Sequence, residues 1–423
     1  MTPPRVSSLD EDIGRIVAHY AGRGPRDSLE GVRRLRELLA PPRLLRVGVV
    51  GTNGKTSTAT YLARLLTANG FRTGLYVSPH LSDWTERVRV DDLPCDPEQL
   101  VSAVTAVHEL AGAAVGDPGQ LRFFDILTLA AEQLIAESGA TFGVFEAGIG
   151  GRLDALSALE PRLVLLTSVA IDHAELLGEE PAEVLREKLL VAPAGATVIA
   201  ARLPDELTAA AERIAAERDL RLAWVDPASG GERARDLPAY LRSALALAER
   251  GCAAAGVLWE TTLAGAGAID PRAPLDLRLP GRLEWGEFGG VPYVLDVAHN
   301  EAAWLQLAAE LARPGSGLGG EVPLTVLIAV SPGKRTGGLA EALEALPALE
   351  RAIVTRSESM PAIEPEDLAA SLAGIDADVV AIEDLGRAVG AAFESARRAQ
   401  GAVLVCGSTH LVGAVRPRLT GAA

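Results

Sequence analysis

A glycine-rich run that ends in a lysine and two hydroxyl residues is the clearest chemical signal in the chain. It is Gly51-Thr52-Asn53-Gly54-Lys55-Thr56-Ser57, and it follows the apolar segment Arg46–Gly51, which is typical of a buried strand. Glycines let successive backbone N–H groups face an anion, and a following helix adds the positive end of its dipole. Lys55 is therefore predicted to reach the β- and γ-phosphates of a nucleotide, and the Thr56 hydroxyl to help hold Mg²⁺. The spacing GxxxxGK[ST] is not met, because Val49 occupies its first glycine position, so the shorter form GTxGK[TS] supports the prediction.

A carboxylate and an imidazole follow two further predicted strands. Glu146 closes the apolar run Phe142–Phe145, at the carboxyl end of a strand, where open α/β sheets bind ligands. A carboxylate there is a natural Mg²⁺ ligand, although a strand-end acid can also simply face water. His173 ends the run Thr167–His173 and is a candidate ligand or proton carrier, with a structural role as the alternative. The glycine cluster in Ala147–Asp154 does not complete GxGxxG, which argues against a dinucleotide site.

A second polar run follows the first predicted strand of the C-terminal part. It is Asp296-Val297-Ala298-His299-Asn300, and its acid, imidazole and amide suit contacts with a ribose, base or phosphate. The alternative is a helix N-terminus, since Asn300 is a favoured capping residue. Arg282 lies at the predicted domain boundary, where a cation can reach a nucleotide shared between domains.

Apolar runs alternate with segments of helical spacing, which predicts parallel sheets with helices on both faces. The N-terminal strands are predicted at Arg46–Gly51, Phe71–Val77, Thr141–Glu146, Arg162–Val169 and Thr197–Ala201. The main helices among them are predicted at Thr56–Ala68, Pro97–Ala114, Phe124–Glu137 and Pro181–Leu190. After the aperiodic segment Leu275–Arg282, strands are predicted at Tyr293–Val297, Leu324–Val330, Ala352–Thr355, Val379–Ile382 and Ala402–Cys406. Two domains follow, 1–280 and 281–423, as a length of 423 residues leads one to expect.

Composition narrows the classes of partner. The net charge of −16 lacks the basic footprint of a nucleic-acid-binding protein. Cys95, Cys252 and Cys406 are far apart and odd in number, which argues against a disulfide framework and predicts a cytoplasmic protein. No apolar run approaches the roughly 18 residues that span a bilayer, so no membrane association is expected. A monomer is the expected oligomeric state.

Taken together, the motifs resemble the folylpolyglutamate synthase/dihydrofolate synthase family, part of the wider Mur ligase superfamily. The resemblance is collinear from about Asp10 to Arg416. GTNGKTS is similar to the family's GTNGKGS, and FEAGIGGRLD at 145–154 to its VEVGLGGRLD. Ser78-Pro79-His80-Leu81, the segment from Leu166 to Lys188, the PGRLE linker at 280–284, DVAHN and Gly407-Ser408 also match family segments in order.

The resemblance implies a fold and an activity. The fold is a parallel-sheet, P-loop ATPase-like N-terminal domain with a second, smaller, Rossmann-like α/β domain that serves as the glutamate ligase domain. The activity is ATP-dependent addition of L-glutamate to the carboxylate of a folate or a dihydropteroate through an acyl phosphate. The choice between these two acceptors stays open, and both activities can coexist in one chain.

The resemblance also implies residue roles. Lys55, Glu146, His173 and Lys188 are the implied catalytic residues. Two Mg²⁺ ions are expected, with ligands among Thr56, Ser78, Glu146, His173 and Lys188. Lys188 aligns with a lysine that relatives carry as a carbamate, which would turn a cation into an anionic metal ligand. ATP is expected to contact the whole glycine-rich run together with Arg282, Asp296, His299 and Asn300.

Several positions depart from the family pattern, and together they weaken the prediction of the acceptor more than the prediction of ATP. Thr56 stands where this family usually has Gly, and Glu301 replaces the Pro that usually follows AHN. Ala329–Lys334 lacks the acidic segment common after that strand, and Asp125 stands where Glu is common.

Three other functions compete with this interpretation. A peptidoglycan-type Mur ligase would share the chemistry, but only about 45 residues precede the phosphate loop, too few for a separate UDP-binding domain. A P-loop NTPase switch would need a macromolecular partner and would form no amide, and DVAHN argues against it. A non-catalytic folate-binding relative would not need Lys55, Glu146, His173 and Lys188 together.

Overall fold

The computed structural model describes residues 8–23, 26–114, 121–226, 232–260, 268–313, 322–334, 336–357 and 361–421. These residues form two compact units. The first unit comprises residues up to 79 together with 83–277, and the second comprises 278–423 together with 80–82. The chain thus passes from one unit to the other between Leu277 and Arg278, three residues before the boundary predicted after residue 280.

The first unit is built on one sheet, whose described strands follow the order β4-β3-β2-β5-β1-β6-β7-β8. Their bounds are β1 Leu45–Val50, β2 Thr73–Tyr76, β3 Val88–Val90, β4 Leu93–Pro94, β5 Phe142–Glu146, β6 Leu163–Leu166, β7 Thr197–Ala201 and β8 Arg221–Val225. From β2 to β8 all neighbours are parallel, whereas β3 and β4 pair antiparallel at one edge. The central strands are continuous apolar runs because helices cover both of their faces.

Helices of the first unit connect these strands. They are α1 Ser8–Tyr20, α2 Glu30–Leu39, α3 Lys55–Ala68, α4 Pro97–Ala114, α5 Phe123–Glu137, α6 Ala155–Ala158, α7 Ala174–Leu177, α8 Pro181–Leu189, α9 Asp205–Glu217 and α10 Ala239–Leu258. Helix α3 is buried along most of its length, including Tyr61 and Leu62 at 0% exposure. The helix that follows the glycine-rich run is therefore held firmly in the core.

The second unit has its own sheet, with described strands in the order β13-β12-β11-β14-β10-β9. The strands are β9 Glu284–Phe288, β10 Val291–Leu295, β11 Leu324–Ile328, β12 Leu349–Val354, β13 Asp378–Ala381 and β14 Ala402–Cys406, and the helices are α11 Glu301–Ala312, α12 Leu339–Glu344, α13 Pro365–Ser371, α14 Leu385–Ala399 and α15 Thr409–Thr420. Val326 and Leu327 belong to different core clusters, because successive strand residues point to opposite faces. Both faces of this sheet are therefore covered.

The predicted α/β architecture is confirmed, and several bounds agree to the residue. Helix Pro97–Ala114 and strands Thr197–Ala201 and Ala402–Cys406 match their predictions. Strands β3, β4, β8 and β9 were not predicted. Strands β3 and β4 are very short, and β4, β8 and β9 contain few buried residues, so all four lack the continuous apolar signal on which the prediction depended. Within the described residues, no helix is both long and apolar enough to cross a membrane.

Candidate active site

The glycine-rich run forms the turn between β1 and α3, as predicted. Gly54 is the N-cap of α3, with φ 85°, and no side chain caps the helix there. Gly51 has φ 149°, and a Cβ at that position would lie 1.9 Å from Thr167 Oγ1. Glycine is thus required at 51 by both backbone conformation and space. The uncapped helix start leaves N–H groups and the positive end of the helix dipole for an anion.

Polar residues after β6 fix the shape of this turn. Thr52 N donates to Ser168 O at 2.8 Å, and its hydroxyl donates to Ala170 O at 3.0 Å. Asn53 N donates to Ser168 Oγ at 2.9 Å, and the Thr167 hydroxyl donates to Asn53 O at 2.7 Å. Thr167 and Ser168 were not predicted to have a role, because only His173 was singled out in this segment. Two hydroxyl residues at the end of a strand next to a phosphate loop could have indicated that they support it.

Glu146 lies at the end of β5, beside the start of α3. The Thr56 hydroxyl lies 2.9 and 3.1 Å from the two carboxylate oxygens and donates to them, and Ser78 N donates at 3.2 Å. Glu146 is 2% exposed. The structure therefore brings together three of the predicted metal ligands: Thr56, Ser78 and Glu146.

Lys55 projects from the first residue of α3. Its Nζ donates to Thr52 O at 3.0 Å, so the ammonium group lies over the turn of which it is part. A phosphate that accepted hydrogen bonds from the turn would lie within reach of this flexible, charged side chain.

Lys188, on α8, is a buried amine that joins two turns. It is 1% exposed, and its Nζ donates to Gly51 O at 3.0 Å and to Ile149 O at 3.3 Å. Burial lowers the pKa of Lys188 from 10.5 to about 7, and the nearby Lys55 charge acts in the same direction. A substantial fraction of this amine is therefore neutral at physiological pH.

His173 is placed differently from the other candidates. It is the N-cap of α7 with φ 51°, and its side chain is 37% exposed. Its ring nitrogens lie 4.0 Å from Asp172 Oδ1 and 3.7 Å from Glu175 Oε1. Two carboxylates of its own segment are thus close to the ring, and its role as a metal ligand stays a prediction.

Asp154 received no role in the sequence analysis, yet it organises the glycine turn after β5. Its carboxylate accepts from Gly150 N at 3.1 Å and from Leu156 N at 2.9 Å, and it is the N-cap of α6. Burial raises the pKa of Asp154, and these backbone donors oppose that rise. An aspartate directly before a helix is a recognisable capping signal.

The residues of the second unit that are predicted to contact the nucleotide form side-chain hydrogen bonds with backbone groups of the same unit. Asp296 accepts from Leu283 N and Ala298 N, each at 2.9 Å. His299 Nδ1 lies 2.9 Å from Val297 O, and Asn300 Oδ1 caps α11 by accepting from Ala303 N at 3.0 Å. Arg282 Nη1 donates to Gly281 O at 3.2 Å. The capping alternative for Asn300 is therefore observed, and nucleotide contact by these residues remains a prediction.

The donor set around Glu146 fits a hard divalent cation. A buried carboxylate and a hydroxyl are the oxygen ligands that Mg²⁺ prefers, and Thr56 already lies within hydrogen-bond distance of Glu146. Among the described residues there is no group of three or more His, Cys, Asp or Glu arranged to hold a metal. Glu146 and Thr56 are therefore the residues that would hold such an ion.

Known proteins are similar to this chain in sequence and in fold. Residues 281–409 match the family model described as Mur ligase, glutamate ligase domain. A probable bifunctional folylpolyglutamate synthase/dihydropteroate synthase of Haloferax volcanii is 31% identical over 92% of this chain and 48% of the relative. The chain thus spans about half the length of that relative.

Solved structures extend the likeness to the whole chain. A bifunctional folylpolyglutamate synthase/dihydrofolate synthase of Yersinia pestis, complexed with AMPPNP and a Mn ion, is 25% identical, covers 99% of both chains and has a TM-score of 0.76. E. coli FolC in complex with DHPP and ADP is 24% identical with a TM-score of 0.79, also over 99% of both chains, and shows the shared fold. The chain is thus similar in sequence and in fold to folylpolyglutamate synthase/dihydrofolate synthase proteins, in agreement with the family resemblance drawn from the motifs.

Proposed function

We propose that this protein is an ATP-dependent ligase that joins the amino group of L-glutamate to the carboxylate of a folate or a dihydropteroate. The observation that best supports this is the buried Glu146 carboxylate bonded to the Thr56 hydroxyl at the open start of the phosphate-loop helix. This pairing supports the proposal because phosphoryl transfer needs an acid able to bind a metal next to the turn that we propose for the triphosphate. Free cysteines at 95, 252 and 406 fit work in the reducing cytoplasm.

The chemistry follows from the substrate. A carboxylate is a poor electrophile because its leaving oxygen is too basic. Transfer of the γ-phosphoryl group from ATP forms an acyl phosphate and ADP, after which the glutamate amine attacks the carbonyl carbon and inorganic phosphate leaves. Lys55 and the N–H groups of the turn hold the phosphates and spread their charge. Exclusion of water protects the acyl phosphate from hydrolysis.

Glu146, Thr56 and Ser78 would hold a divalent cation, whose positive charge would offset the negative charge of the phosphates. Lys188 is proposed to react with CO₂, forming an N–C bond and releasing one proton. Its neutral fraction supports this, since only the unprotonated amine is nucleophilic. Removal of dissolved CO₂ is expected to lower turnover and bicarbonate to restore it, while a Lys188→Arg variant shows no response to bicarbonate.

The deciding experiment is mass analysis of products formed from ATP, glutamate and either dihydropteroate or tetrahydrofolate. One added glutamate on dihydropteroate identifies dihydrofolate synthase activity, and a ladder on tetrahydrofolate identifies chain extension. A UDP-muramyl acceptor in parallel tests the peptidoglycan-type alternative. ATP consumption with no amide on any acceptor would contradict the proposal.

A further inference from the structure

The last stretch of the first unit, Asp270–Leu277, is an extended segment that we call the strap. It contains neither helix nor strand and ends where the chain passes to the second unit. Most of its residues are exposed or half-buried. An exposed segment without helix or strand that leads from one unit to the next would ordinarily be flexible.

Side chains of α3 and of the residue that ends it bind the strap backbone at both of its ends. Asn69 makes two bonds to Asp270, accepting from its N at 2.6 Å and donating to its O at 2.9 Å. At the other end, Arg64 Nη1 donates to Asp276 O at 2.7 Å. The Tyr61 hydroxyl donates to Leu277 O at 2.8 Å. The strap therefore follows α3 from its C-terminal end toward the phosphate loop.

Arg233 binds the middle of the strap. Its Nη1 donates to Ala273 O at 2.9 Å and to Arg272 O at 3.1 Å. The guanidinium is itself held by Glu249 of α10, which accepts from Arg233 Nε at 2.9 Å. Backbone carbonyls along the strap are thus captured by side chains from fixed elements, so the strap is anchored whatever its own side chains are.

On the far side of the boundary, the chain is anchored again almost at once. Val297 N donates to Gly281 O at 3.0 Å, and Leu283 N donates to Asp296 Oδ2 at 2.9 Å. The anchored carbonyls of Leu277 and Gly281 are separated only by residues 278–280. Within these three residues Leu279 O accepts from Arg282 N at 3.2 Å, and the anchor that directly precedes them is the Tyr61 hydroxyl.

We propose that Tyr61 is a positioning residue that couples occupancy of the phosphate loop to the mobility of the strap and of residues 278–280. Tyr61 lies six residues after Lys55, about 9 Å along one helix. It is fully buried, and burial raises the pKa of its hydroxyl, which therefore remains a donor. A rigid helix with a nucleotide at one end and the strap bonded to its side transmits ordering from one to the other. The proposal rests on the proposed function, because closure around substrates is what such coupling would serve.

The test compares wild type with Tyr61→Phe, which removes one hydroxyl and keeps the ring. Hydrogen–deuterium exchange is measured on peptides covering 268–283, with and without AMPPNP and Mg²⁺. Thr208→Val is the matched control, because it removes a hydroxyl-to-carbonyl bond of 3.1 Å to Leu203 O at the start of α9, away from the strap.

In the wild type and in Thr208→Val, AMPPNP is expected to slow exchange in these peptides. In Tyr61→Phe, exchange without nucleotide should rise about fivefold, the effect of losing one net hydrogen bond, and the slowing by AMPPNP should disappear. The kcat for amide formation should fall severalfold while the KM for ATP stays within about twofold, since the loop itself is unchanged.

Slowing by AMPPNP that is equal in wild type and Tyr61→Phe, or absent from both, overturns the coupling, as does an unchanged kcat. If wild type forms no amide, the proposed function fails instead, and the exchange response to AMPPNP still decides the coupling by itself.

Discussion

Two helices of this protein begin directly after a parallel strand and a polar run, yet their first turns are satisfied in different ways. Helix α3 has Gly54 as its N-cap, with no capping side chain. Helix α11 has Asn300, whose side chain accepts from Ala303 N. Because the first N–H groups of a helix need acceptors, the first arrangement leaves them for a ligand and the second gives one to the chain itself. The comparison supports the glycine-rich turn as the anion site, whereas the observed role of Asn300 is to cap α11.

The carboxylates at the ends of β5 and β10 also differ in whether a ligand could replace their present hydrogen-bond partners. Glu146 accepts from the Thr56 hydroxyl and Ser78 N, groups that a cation or phosphate can take over. Asp296 accepts from two backbone N–H groups of its own unit, which fixes a turn. A polar residue at a strand end is thus a good candidate ligand only if neighbouring backbone N–H groups do not already use its side chain as an acceptor.

The largest expected effect is at the open helix start. Lys55→Ala should lower ATP-dependent amide formation by about 10³-fold, because a preorganised charge on the transferred phosphate is lost. The fold should persist, since Lys55 lies at the first position of α3 and its Nζ donates to Thr52 O of the adjacent turn. Product formation and thermal unfolding are to be measured together. Normal turnover in this variant would contradict the phosphate-loop assignment.

The next prediction concerns the lowered pKa of the buried Lys188 amine, which donates to Gly51 O of the same turn. Its folded-state pKa, about 7, lies below the ordinary 10.5, so the unfolded chain binds more protons between these values. The free energy of unfolding should therefore rise as the pH increases from about 7 toward 10. The contribution is on the order of 2–4 kcal/mol at full deprotonation. Urea unfolding in CO₂-free buffer at pH 7 and pH 9 should show a smaller rise in Lys188→Met, and equal rises in both proteins would refute the buried-amine interpretation.

Glycine within the turn gives the next effect. Gly51→Ala should reduce the free energy of unfolding by about 2–3 kcal/mol and impair nucleotide binding, because its Cβ collides with Thr167 Oγ1. Gly70→Ala is the matched control. It also has positive φ, at 84°, but nothing within 4 Å of the added carbon, so it should cost only about 1 kcal/mol. Equal costs for the two variants would show that space at Gly51 does not matter.

The smallest effect separates the two roles of Asn300. Asn300→Ala should lower the free energy of unfolding by about 1 kcal/mol through loss of the cap, whereas Asn300→Asp should keep it. If the amide also contacts ATP, Asn300→Asp should raise the KM for ATP despite its retained stability. Unfolding by urea and ATP titration of turnover, made on both variants, provide the comparison. An unchanged KM in both would leave Asn300 as a cap alone.

Features with strong local signals could be predicted reliably from the order of residues. The strand and helix around Lys55 were predicted because an apolar run, glycines and helical spacing coincide there. Strands β4, β8 and β9 lie at sheet edges and were missed because they contain few buried residues. Strand β3 was missed because its three residues are too few to show a period. Of the predicted metal ligands, Thr56, Ser78 and Glu146 converge. Whether His173 joins them stays a prediction, because its placement depends on a left-handed turn that no local pattern specifies.

The order of residues by itself determined which chemical groups the protein carries and which strands and helices deliver them, because apolar periodicity and glycine conformation are local properties. Only the tertiary structure decided which of those groups are engaged by their own backbone, that the Lys188 amine is buried against Gly51 O, and that Tyr61 holds the strap. The last two outcomes depend on burial and on contacts between residues more than 100 positions apart, and such contacts exist only once the sheet has assembled.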